Sequence, residues 1–272
     1  MKGFFSPIPK VKRIYKNLGK REKFVLIAAA EGILFFITLS LANFFWILFL
    51  ISLFFIALTT IFALQQELAE VKYFLLLVLP VFFWGSSIFF VRMASENGFG
   101  YFLAAILYGI SRYSLLLTLN IYNVAAIRTI QLIRAANAVG LLFTLFSAFF
   151  IYSLAWSMKP SGWILVLLVT FFSFPLILQS LWSIELEGFI SKRIIIFTLV
   201  LTLALAELAL SFSFWPILPT IGALALVSAM YVLLGVTHFY FTQRLKRRTI
   251  WEYLGIASLI LIFIVVTTRW GG

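Results

Sequence analysis

The feature that most constrains this chain is a succession of nine apolar runs, each long enough to cross a bilayer, joined by short polar connections. Crossing about 30 Å of hydrocarbon takes roughly 20 helical residues. By that measure the spans are 24–42, 44–64, 73–91, 100–121, 137–156, 162–182, 194–214, 220–241 and 250–268. No water in the hydrocarbon layer can satisfy backbone N–H and C=O groups, so each run must close its own hydrogen bonds as a helix. The expected fold is all-α, a polytopic transmembrane helical bundle spanning 24–268. Asn43 alone separates the first two spans, which therefore form a hairpin. No connection exceeds about sixteen residues, too short for a soluble domain.

Hydrophobic residues make up 64% of the chain and charged ones 11%, so there is little polar surface to cover a soluble core. The net charge of +12 would suggest nucleic acid in a soluble protein. Here the cations lie between apolar runs, so nucleic acid is not an expected partner. The expected partners are the bilayer and the anionic headgroups of its cytoplasmic face. Seventeen of the 21 Lys and Arg fall on the side of the N-terminus, and Arg92, Lys159 and Arg269 on the other. The positive-inside rule then predicts a cytoplasmic N-terminus and an outer C-terminus in a bacterial-type inner membrane. Residues 1–23 form a basic cytoplasmic arm, without the features of a signal peptide, and 269–272 a short outer tail. In the arm, Lys12, Arg13, Lys16 and Lys20 surround apolar residues at helical spacing. This suits either a helix lying on the membrane surface or a disordered positive tail. Tyr122–Ala136 reads either as an inner-surface helix or as extensions of its neighbours.

Three ionisable residues lie inside spans: Glu31, Arg112 and Glu207. A charge within the bilayer is costly and is expected to face protein and find a partner. At about 1.5 Å per residue, Arg112 and Glu31 sit at nearly one depth, with Glu207 about 7 Å higher. Arg112 is expected to pair with Glu31, Glu207 or both. Pro80 and Pro175 fall near the same level and remove backbone donors there, and Ser86 lies beside Pro80 in a small, polar stretch. Two readings follow. One takes the cluster as structural, fixing helix order in a non-enzymatic structural or assembly-type component, and this is the one the sequence favours. The alternative is a permease or small-solute transporter with a midplane polar site around Arg112. Ala28/Gly32, Ala105/Gly109 and Ala225/Ala229 read as close helix packing.

The absences limit the chemistry further. The chain has no Cys, no Asp and one His, His238. Disulfides, thiolate metal sites, bis-histidine haem and aspartate-rich metal motifs are excluded, and no phosphate-binding P-loop is present. No catalytic, cofactor-binding or metal-ligating residues are predicted. An enzyme would have to open a cleft at the cytoplasmic face around His238, Glu185 and Glu187, and this is the least favoured reading.

The connections NVAAIRTIQLIRAAN and FTQRLKRRTIWEYLG and the ending TTRWGG resemble an uncharacterised family of bacterial multi-pass membrane proteins, a domain of unknown function. That resemblance covers most of the chain and implies membrane location without a mechanism. The arginines Arg128 and Arg134 depart from the Ala-Arg-Gly motifs in the coupling helices of vitamin-transporter subunits.

Overall fold

The computed structural model describes residues 19–64, 70–95, 97–125, 131–187 and 189–268, with backbone alone for 70–73. Lys12, Arg13 and Lys16 of the basic arm, Arg128 and the tail 269–272 lie outside the described residues. Among those described, nine helices are long and apolar enough to cross a membrane. They are α1 (Lys20–Ser40), α2 (Phe45–Leu64), α3 (Glu70–Ala94), α4 (Gly98–Ala125), α5 (Ile133–Ser157), α6 (Gly162–Glu185), α7 (Lys192–Ser213), α8 (Pro219–Phe241) and α9 (Arg247–Thr267). A 3-10 turn, Ala42–Phe44, joins α1 to α2.

Local chemistry sets the helix starts. The Gly19 amide donates to the Glu22 carboxylate at 2.8 Å ahead of α1. Ser191 caps α7 by accepting from the Ile194 amide. Pro219 opens α8, where its missing N–H costs nothing. At the end of α6, Leu186 turns left-handed with φ 53°. Many hydroxyls inside the apolar helices are satisfied locally: Thr144, Ser147 and Thr198, among others, donate to the carbonyl four residues earlier.

Successive helices run antiparallel. Along the α1–α2 hairpin, the Thr38 and Ser52 hydroxyls meet at 3.2 Å and the Thr59 hydroxyl reaches Glu31 at 2.6 Å. At the end where α1 begins, Asn123 of α4 donates to the Leu64 carbonyl of α2, and Tyr122 to the Ala136 carbonyl of α5. At the same end the Arg193 guanidinium lies 4.2 Å from the Phe241 ring centroid. At the opposite end the Arg92 guanidinium lies 4.0 Å from the Phe45 ring centroid. The described cations are thus divided unevenly between the ends, with Arg92 and Lys159 on the far one.

The tightest pairings are α6 with α7, α1 with α4 and α5 with α8. In the second of these, the small residues Ala28 and Gly32 face Ala105 and Gly109. A Cβ on Gly32 would stand 3.2 Å from the Ala105 carbonyl oxygen, so the two backbones meet almost directly. α3 and α5 run through the core, whereas α9 packs mainly on α8 and buries Ile264 alone. Trp46, Trp163 and Trp251 are exposed at helix ends, as interfacial anchors are. Trp156 and Trp182, which sequence position alone would put in the same belts, are buried instead. Trp182 donates to the Glu187 carbonyl just past its helix.

The structure differs from the expected spans chiefly in α4 and α5. Residues 122–125 extend α4, and 133–136 belong to α5. Where it is described, the connecting segment is therefore helix extension.

Candidate functional site

An arginine inside a span presents five N–H donors and a charge to surroundings with no water. The close approach of α1 and α4 supplies the answer. Arg112 and Glu31 are both fully buried, and they engage side-on as a fork. Nε donates to Glu31 Oε2, and Nη2 donates to Oε1 at 3.1 Å. α2 adds two threonines. Thr60 accepts from Nη2 at 2.6 Å and passes its own proton to the Ile56 carbonyl. Thr59 donates to Glu31 Oε1, and the Tyr108 hydroxyl, one turn before Arg112, reaches Oε2 at 3.4 Å.

Aromatic rings wall in the pair. Phe35 stacks on Tyr108 with centroids 4.7 Å apart, and Trp84 of α3 meets Tyr108 edge-on at 5.1 Å. Both carboxylate oxygens are satisfied, but two donors in this cluster are not. Arg112 Nη1 and the Trp84 indole Nε1 are buried and face no acceptor among the described residues. Buried donors rarely go unpaired, since each costs about 1–3 kcal/mol.

The other intramembrane residues named from the sequence make no hydrogen bond or ion pair with Arg112 or Glu31 among the described residues. Glu207 is exposed on α7 and makes no ion pair among the described residues, so of the two glutamates Arg112 meets Glu31. Pro80 and Pro175 sit inside continuous helices. Ser86 donates to the Phe83 carbonyl and lines an apolar groove of about 420 Å³ between α2, α3, α5 and α6. Sequence reasoning missed Thr59, Thr60 and Tyr108. Tyr108 carried a signal, since it stands one helical turn from Arg112 and so shares its face.

His238 lines a cavity at the end of the bundle where α1 begins. Neither Glu185 nor Glu187 joins it there. Glu185 accepts from Ser191, holding the α6–α7 connection. Among the described residues no group of three or more His, Cys, Asp and Glu could hold a metal ion.

The apolar helices and the ion pair inside them define a polytopic, multi-pass membrane protein with a buried Arg–Glu salt bridge near mid-chain. The chain belongs to the family described as "Protein of unknown function (DUF5656)", whose profile matches residues 25–267. No curated protein and no solved structure matches it.

Proposed function

We propose that this protein is a permease for a small, acceptor-bearing solute, with the cluster around Arg112 as its intramembrane polar site. The observation that carries this reading is the unpaired Arg112 Nη1, joined by the unpaired Trp84 Nε1 beside the same tyrosine. A pair kept only to fix helix order would gain from satisfying every buried donor. Two orphan donors beside a bound carboxylate suit a site that takes up acceptor atoms in another state of the bundle. Transporters place such sites near the bilayer midplane. The charge asymmetry supports a cytoplasmic N-terminus and an outer C-terminus. The same asymmetry favours contact of the basic end, arm included, with anionic headgroups of a bacterial-type inner membrane.

The full burial of Arg112 and Glu31 favours the second reading, a structural or assembly-type component whose ion pair locks α1 to α4. Labelling separates the two. The chain contains no cysteine, so a single Thr60→Cys replacement beside Arg112 gives one reactive group. In membranes, a small water-soluble thiol reagent is expected to modify Thr60→Cys faster than Ala148→Cys, an equally buried core position. Equal protection at the two positions would leave the structural reading in place of the permease.

A further inference from the structure

Where α5 and α9 begin and α6 and α8 finish, a cavity of about 620 Å³ opens between the helices. That is within the usual range of small-ligand sites. Its polar wall comprises Arg134 and Asn137 from α5, Ser180 from α6, His238 from α8, Arg244 from the following connection and Tyr253 from α9. Among the described residues, no acidic side chain lines it. Three other grooves, of about 550, 420 and 700 Å³, carry no charged residue at all.

The two arginines, both exposed, differ from Arg248 and Arg193 at this end. Arg248 is paired with Glu252 at 3.0 Å, and Arg193 lies over the Tyr240 and Phe241 rings. Arg134 and Arg244 have no ion pair among the described residues, yet they line one cavity. The Asn137 amide oxygen is buried without a hydrogen-bond partner among the described residues. Gly235 helps to shape the wall. A Cβ there would stand 2.4 Å from the Tyr253 hydroxyl, so its absence lets that ring lie against α8. The apolar part of the wall includes Leu141, Leu234 and Phe239.

We propose that this cavity binds a phosphate group, either free or as the head of a lipid whose chains lie against the apolar wall. Guanidinium forks match phosphate oxygens in pairs, which makes arginine the preferred partner for such an anion. The serine and tyrosine hydroxyls supply further donors, and the orphan Asn137 oxygen accepts from the phosphate's own hydroxyl when it is singly protonated. A single anion would neutralise two like charges and satisfy a buried acceptor together. The proposal stands on this cavity and is independent of the role given to Arg112.

Calorimetric titration of the purified full-length protein in neutral detergent tests it. One arm uses inorganic phosphate with chloride of equal ionic strength as control, the other dihexanoyl phosphatidic acid. Binding is expected in at least one arm. Phosphatidic acid alone would identify a lipid head, and inorganic phosphate binding as well would identify the phosphate group itself as sufficient. The Arg134→Gln/Arg244→Gln protein should bind at least roughly tenfold more weakly. Asn137→Leu, which obstructs the polar wall without changing charge, should weaken binding too. Arg248→Gln, which removes a cation from the same end outside the cavity, should leave affinity unchanged. Absence of binding in both arms would overturn the proposal. So would an equal loss with Arg248→Gln, which would reduce the effect to diffuse surface charge.

Discussion

Arg112 and Glu31 act as a unit because neither has another charged partner among the described residues. Removing one leaves a buried charge uncompensated, at a cost of about 3–5 kcal/mol. Removing both leaves an apolar contact between α1 and α4. Glu31→Leu and Arg112→Leu are each expected to lower stability by that amount in detergent unfolding measurements. The double variant should be more stable than either single one, and additive losses would show that the two residues are not coupled. The choice between Glu31 and Glu207 was not legible in the sequence. Depth arithmetic put both within reach of a long side chain, but α7 packs mainly on α6 and α8 rather than on α4. That helix buries Thr198, Leu201, Thr202, Leu205, Ala206 and Ala209, and Glu207 falls off this stripe. Since α7 is apolar nearly all round, its sequence shows no face that would reveal this in advance.

Helix existence was legible for the same reason that helix orientation was not. Hydropathy reports length in lipid, and every apolar run forms a helix. It does not report polar residues that extend a helix past the hydrocarbon. Tyr122 and Asn123 are buried in contacts with α5 and α2, and they carry α4 beyond its apolar limit. Small residues spaced by four were more informative. Ala28/Gly32 and Ala105/Gly109 mark the place where α1 and α4 touch, and that contact brings Glu31 to Arg112. Gly32→Leu should therefore disturb the pair through this helix contact. Its side chain would meet the Ala105 carbonyl and the Gly109 backbone, neither of which can turn aside. A loss of about 1–3 kcal/mol is expected from overpacking, read as a lowered thermal midpoint in detergent. Gly98→Leu, at an open position with nothing within 4 Å, should leave the midpoint nearly unchanged.

At the scale of the whole molecule, the bundle has a basic end and a nearly neutral one. The proposed cytoplasmic N-terminus would turn the basic end inward. An impermeant thiol reagent applied to intact cells should then label Lys159→Cys and spare Lys246→Cys, and the reverse pattern would invert the topology. The cavity with Arg134 and Arg244 would open on the cytoplasmic side. The salt bridge also bears on how the chain is made. Glu31 leaves the ribosome well ahead of Arg112, so α1 enters the insertion machinery with its glutamate unmatched. Thr59 arrives next and offers Glu31 a hydroxyl, whereas Thr60 bonds the Ile56 carbonyl and serves Arg112. The ion pair can therefore close only once α4, the fourth of the nine described helices, has been made.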